Sequence, residues 1–165
     1  MELTTLQDLL VEKIQDLYSA EQQITKALPK MVEAATSPDL KKAFQTHLRQ
    51  TEEHIARLER IAEQLGEAPK GKMCKGMQGV IKEGQELMEE DASQEVLDAG
   101  LIAAAQGVEH YEMAGYGTAR TYAEELGLND ISKMLQQTLD EEQQTDQLLT
   151  KLAESRINLK AKKAA

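Results

Sequence analysis

The stretch LIAAAQGVEHYEMAGYGT, residues 101–118, carries two glutamates, Glu109 and Glu112, inside a run of small and apolar residues. At helical spacing, Ile102, Ala105, Glu109, Glu112, Tyr116, Ala119 and Ala123 fall on one stripe. They step by three and four, as the buried face of a helix does. The period decides for helix over strand. Two questions follow: which helices close over this stripe, and what its acids do there.

The rest of the chain reads as further helices. The first spans about Thr5 to Ala35, capped by Thr4 or Thr5, with Leu3, Leu6, Leu10, Ile14, Leu17, Ile24, Leu28 and Met31 on one side. Pro29 falls within it and is expected to kink its last turns. TSPDL, residues 36–40, stops the chain and restarts it, with Ser37 as cap and Pro38 at the first helical position. The second helix runs to about Leu65, where Gly66 ends it, and GEAPKGK is a loop. A shorter amphipathic piece follows, carrying Met73, Met77, Val80, Ile81, Leu87 and Met88 on one side. Ser93 caps the third long helix, which reaches Leu126 and stops at Gly127. Asn129 is expected to cap the fourth, which ends near Ser155.

Connection lengths then select the architecture. About three residues join each pair of long helices, which makes each pair antiparallel neighbours. About 27 residues, carrying the short helix, lie between the pairs and can run back along a bundle roughly 40 to 50 Å long. Two hairpins joined by one long crossover predict an all-α, ferritin-like four-helix bundle. Residues 1–158 form that domain, and 159–165 are a basic tail expected to be disordered.

Composition agrees and excludes alternatives. The chain has one Phe, four Tyr and no Trp, so Leu, Ile, Ala and Met must fill the core, which suits helix-on-helix packing. A net charge of −10 argues against nucleic acid as a partner. No apolar run is long enough for a membrane span, MELTTLQDLL is too acidic for a signal peptide, and Cys74 is the single cysteine. A cytoplasmic protein is the expectation. Cys74 itself reads as a small hydrophobe.

Each long helix carries a polar interruption on its inner side. Glu21 lies between Leu17 and Ile24; His47, Thr51 and His54 precede Leu58 and Ile61; Glu142 follows Leu135 and Thr138, with Asp146 one turn on. Glu21, Thr51, His54, Glu109, Glu112, Glu142 and Asp146 lie about 14 to 19 residues from their hairpin turns, so at 1.5 Å per residue they share a layer roughly 20 to 29 Å from those turns. Buried carboxylates without partners cost several kcal/mol each and raise one another's pKa. A divalent or trivalent cation removes both penalties, and a shell of carboxylates with imidazole suits iron or manganese. Glu21, Glu109, Glu112 and Glu142 are the expected oxygen ligands and His54 the nitrogen ligand, with Asp146 and His47 as secondary candidates. His110 faces a seam of small residues and is read as packing or supporting; Glu52 and Glu53 point outward.

The segments DLYSAEQQ, HLRQTEEHIARLE, LIAAAQGVEHYEMAGYGT and TLDEEQQTDQLLTKLA, which together span nearly the whole chain, resemble the YciF-like family of ferritin-like bacterial stress proteins. More distantly the chain is similar to rubrerythrin, whose third helix carries a Glu-x-x-Glu pair matching Glu109 and Glu112. The resemblance implies a dimeric four-helix protein tied to stress responses. Ferritin-like di-iron sites place Glu-x-x-His on the second and fourth helices; here those positions read Thr51 to His54 and Glu142 to Thr145, each motif half present. Three functions follow as expectations. The first is an iron (di-iron) or manganese site that oxidises ferrous iron or handles oxygen and peroxide. The second is a non-enzymatic stress protein acting by helix-face association with a vestigial site. The third is a manganese catalase-like activity.

Overall fold

Thr5 opens the first helix with a reciprocal cap: its hydroxyl accepts the Asp8 N–H at 3.1 Å, and Asp8 accepts the Thr5 N–H at 2.8 Å. In the computed structural model, which describes residues 3–164, the helix so begun is α1 (Leu6–Ala34). It continues through Pro29 to its end. Ser37 caps α2 (Pro38–Leu65), with Pro38 at the first position, where its missing N–H costs nothing. The crossover carries α3 (Lys75–Glu89), and Ser93 caps α4 (Gln94–Glu125). Gly66 and Gly127 both take φ of 72°, the left-handed conformation that ends a helix with little strain for glycine.

The chain's end departs from expectation twice. Asn129 does not cap α5 (Asn129–Leu152) but is its first residue, because the link after Gly127 is already spent. The helix does not stop near Ser155. A π turn (Ala153–Ile157) buries Ala153 and Ile157 against the core, and α6 (Asn158–Lys163) continues from it. Most of the basic segment expected to be disordered is therefore helical, anchored by Ile157. Residues 1 and 2 and residue 165 lie outside the described residues.

α1 packs along α2 and α4 along α5, the two pairs meet through α1 with α4 and α2 with α5, and α3 lies on α4 and α1. Asp98, near the start of α4, pins the first turn: it accepts Thr36 N–H and Oγ1–H at 2.7 Å each and Ser37 N–H at 2.8 Å. The glycines of α4 serve contacts inside the chain. A Cβ at Gly100 would lie 2.8 Å from a Leu87 methyl of α3, and one at Gly115 would lie 2.7 Å from a Leu17 methyl of α1. No strand occurs among the described residues, and none of their helices is long and apolar enough to cross a membrane.

The apolar core is divided. One cluster gathers around Ile24, Leu28, Phe44, Leu101 and Leu149; the other gathers around Leu10, Leu17, Leu58, Tyr116 and Leu135. In every long helix the chain passes from one cluster to the other through the polar layer: at Glu21, between His47 and His54, between Glu109 and Glu112, and at Glu142.

Candidate metal centre

Six of the seven expected site residues converge. Glu21 comes from α1, His47 and His54 from α2, Glu109 and Glu112 from α4 and Glu142 from α5, and none is more than 3 % exposed. Their donor atoms form two sets, within each of which all lie within 4.8 Å of one another: His47, Glu109, Glu112 and Glu142 in one, Glu21, His54 and Glu142 in the other. Glu142 belongs to both.

The short distances are not those of a satisfied hydrogen-bond network. His54 Nδ1 is 3.0 Å from Glu142 Oε1 and 3.3 Å from Glu21 Oε1; His47 Nε2 is 3.1 Å from Glu109 Oε1, and His47 Nδ1 is 4.0 Å from Glu142 Oε2. Yet nine of the ten buried side-chain polar atoms without a hydrogen-bond partner, among the described residues, belong to these six side chains. Buried polar groups are ordinarily paired, and leaving one unmade costs about 1 to 3 kcal/mol. Concentrated unpaired lone pairs of imidazole and carboxylate type, aimed at common points, are what a cation would satisfy. The residues present fit a metal.

The electrostatics say the same. Burial pushes Glu109 and Glu112 well above the usual carboxylate range, and the neighbouring carboxylates push further. Burial raises Glu21 too, outweighing His54. For Glu142 burial works upward, but the closeness and charge of His54 and the charge of His47 win, and it stays below the usual range. Burial opposes the charge on His54, while Glu142 and Glu21 carry it up to about 10. Burial lowers His47. Without a cation the layer keeps one positive imidazole among acids that cannot all ionise.

Neighbouring side chains hold the candidate ligands in place. Glu141 accepts His54 Nε2–H at 2.8 Å and Arg57 at 3.0 Å, and Arg57 also donates to Thr138 Oγ1 at 2.5 Å. This leaves His54 Nδ1 turned into the cluster. The Tyr116 hydroxyl donates to Glu21 Oε1 at 2.5 Å, and Thr51 Oγ1 donates to the His47 carbonyl at 3.0 Å.

Asp146 is the correction. It stands outside both sets, accepting Gln106 Nε2 at 3.1 Å and lying 3.2 Å from His110 Nε2. One turn past Glu142, it reaches the flank facing α4 instead of the interior. His110 is 66 % exposed at its side chain and so does not pack in a seam. Cys74 is more than a small hydrophobe: it is buried, caps α3 through its thiol, and lies 3.0 Å from the Tyr111 hydroxyl. Glu52 and Glu53 are exposed, as read. Glu141, Arg57 and Tyr116 were not anticipated. In the DEEQ run of residues 140–143 the period marks Glu142 as inward but assigns its neighbour Glu141 no role, and nothing in the sequence singles out Arg57 among the charges of α2.

Comparison with known proteins places the chain in a family. The model of a domain of unknown function, DUF892, matches residues 5–162. The chain is 43 % identical over 166 aligned residues, covering all of both chains, to Protein YciF of Escherichia coli K12. The crystal structure of the E. coli stress protein YciF matches with a TM-score of 0.91 and 43 % identity, over 94 % of this chain and 99 % of that one. YcfI of Rhodopseudomonas palustris, named a candidate structural protein, matches with a TM-score of 0.88 and 46 % identity, over 90 % of this chain and 95 % of that one. A protein from Xanthomonas campestris pv. campestris shares the fold at 17 % identity, with a TM-score of 0.77 over 96 % of this chain and 98 % of that one.

Proposed function

The chain belongs to the DUF892 family, and from its two ligand sets we propose that it is a ferritin-like stress-response protein holding iron or manganese in the bundle core. The observation that carries this reading is the gathering of nine unpartnered buried polar atoms on six side chains from four helices. Glu21, His54 and Glu142 would hold one ion, and His47, Glu109, Glu112 and Glu142 a second, a di-iron or dimanganese arrangement. The half-present Glu-x-x-His motifs are compensated from nearby positions. His47, one turn before Thr51, supplies the imidazole that Thr145 lacks, and Glu109 adds a carboxylate one turn before Glu112.

When bound, such a metal supplies redox chemistry toward oxygen or peroxide, either oxidation of ferrous iron or peroxide disposal. The chain's own residues prepare the place. Glu141 fixes the His54 ring with Nδ1 inward, as a carboxylate behind a metal-ligating histidine does, and Tyr116 holds Glu21. The apolar clusters on either side exclude bulk water, which strengthens every charge interaction between them. The link to stress follows the E. coli relative, and we propose two copies per assembly, to be read by sedimentation.

Anaerobic titration with ferrous or manganous ion, followed by elemental analysis and thermal melting, tests the reading. Near two ions per chain and a raised melting temperature are expected, since a ligand that binds only the folded state stabilises by mass action. Undetectable metal, with melting unchanged by loading, would leave the non-enzymatic reading: a stress protein acting by association of its helix faces.

A further inference from the structure

The bundle wall over His47 is not closed equally on all sides. Between α1, α3 and α4 runs a narrow cleft walled by Met31, Val80, Met88, Ala104 and Val108, and His47 and Glu109 stand among its lining residues. Both ring nitrogens of that His47 lack a hydrogen-bond partner. Small residues on α3 and α4 leave the space between these close walls unfilled. A Cβ at Gly84 of α3 would lie 3.4 Å from Ala104, and one at Gly107 would lie 3.7 Å from Val80.

The approach to this cleft is positively charged. A groove between α1 and α3 is lined by Lys26, Lys30, Lys75 and Lys82 with no acidic side chain among its lining residues, although Lys82 lies 3.5 Å from Glu86 beside it, in a chain of net charge −10. Lys30 and Gln85 line both the groove and the cleft. A hydrated cation meets repulsion at the lysines and then loses its water against apolar walls, two costs in series. A neutral molecule meets neither.

We propose that this cleft is the entrance by which small uncharged oxidants, dioxygen foremost, reach the His47 and Glu109 end of the buried cluster, while cations arrive by another way. The chemistry at the inner end rests on the metal reading above; the passage itself does not. α3 is the wall best suited to yield, since Met77 is its one buried residue, and elements with few buried contacts open most readily.

Crystals held under xenon, together with elemental analysis and the rate of oxygen-dependent oxidation in ferrous-loaded protein, test it. In the unaltered chain xenon should occupy the cleft beside Ala104 and Val108. Ala104→Leu, which fills the cleft without touching a ligand, should exclude xenon and slow oxidation several-fold while metal per chain stays the same. Gly84→Val narrows the same passage from α3 and should act alike, which guards against a folding defect in the first variant. A cleft that takes no xenon, or an oxidation rate unchanged in a variant that excludes it, overturns the proposal. Xenon in the cleft of a chain that loads no metal would count for the passage and against the metal reading, so the two failures are distinguishable.

Discussion

His47 and His54 stand two turns apart on one helix, equally buried, and the protein treats them in opposite ways. His54 is held from both sides. Its Nε2 is engaged by Glu141, which Arg57 braces, and its Nδ1 lies within 3.3 Å of two carboxylates. His47 has a single carboxylate oxygen at 3.1 Å, a second at 4.0 Å, and the apolar cleft beside it. The consequence is a charged imidazole at His54, carried up to about 10, and a neutral one at His47, where burial prevails. A helix that places two histidines in the same layer does not thereby make them equivalent. What crowds each ring decides its state: Glu142 and Glu21 hold the charge on His54, burial prevails at His47, and only His54 has a further carboxylate, Glu141, fixing its other edge.

The largest effect should come from the residue the two regions share. Glu142 serves both sets, so Glu142→Ala is expected to abolish metal loading altogether. The gain in stability on loading, about 2.7 kcal/mol at a hundredfold excess over Kd, should vanish with it. Glu112 serves only the His47 set, so Glu112→Ala should lower metal content without emptying the chain. Elemental analysis of both variants after anaerobic loading gives the contrast. Equal residual metal in the two would mean that Glu142 does not join the sets.

Next in size is the brace behind His54. Arg57 is 4 % exposed and bonds Glu141 and Thr138. Arg57→Ala should cost about 2 kcal/mol, less than the roughly 3 to 5 kcal/mol of a wholly buried pair, because Glu141 keeps contact with solvent. No residue behind His47 should match it. Denaturant melts of the metal-free protein measure the loss, and a cost below a few tenths of a kcal/mol would show the brace to be ornamental.

The pH dependence separates the two histidines by sign. His54 is raised, from an ordinary 6.5 to about 10, so its contribution is complete below about pH 6.5 and disappears as pH climbs through about 10. Burial raises Glu21, Glu109 and Glu112, and their contributions are likewise lost with rising pH. His47 is lowered, so it works the other way, costing stability as pH falls below about 6.5. The metal-free protein should therefore melt several degrees lower at pH 9 than at pH 6.5, and His54→Gln should flatten that decline. Metal-loaded protein should show the reverse trend, since ligation needs the acids deprotonated. A decline that survives His54→Gln intact would assign it to the glutamates alone.

How far all this could be read in the sequence depends on which residues one asks about. The bundle's helices were legible because Leu10, Ile14, Leu17, Ile24 and Leu28 repeat at helical period and because Ser37-Pro38, Gly66, Ser93 and Gly127 punctuate them. The polar layer was legible for the same reason, since Glu21, Glu109, Glu112 and Glu142 sit where the period demands an apolar residue. What period cannot supply is the direction of a side chain between two faces. Glu141 stands about 100° around the helix from Glu142, off the inner stripe, and only the packing of α2 against α5 makes it the partner of His54. The end of the chain escaped for a similar reason. Lys160, Lys162 and Lys163 suggest solvated coil, whereas Ile157, brought inward by a π turn, carries the helix on.

The smallest effect concerns the residue that period placed in the layer and packing removed. Asp146 is one helical turn beyond Glu142, the spacing that should stack it beneath a ligand, yet its partners are Gln106 and the exposed His110. Asp146→Asn keeps the shape and can still accept from Gln106, so what is lost is the charge facing His110 and its weak repulsion of Glu109. An exposed pair of that kind contributes about 0 to 1 kcal/mol. Metal per chain should be unchanged and the melting temperature should move by no more than a degree or two. A clear loss of metal in Asp146→Asn would extend the His47 set by one carboxylate toward solvent, and the contrast between an unbraced His47 and a braced His54 would then need redrawing, because His47 would no longer face only ligands deep in the core.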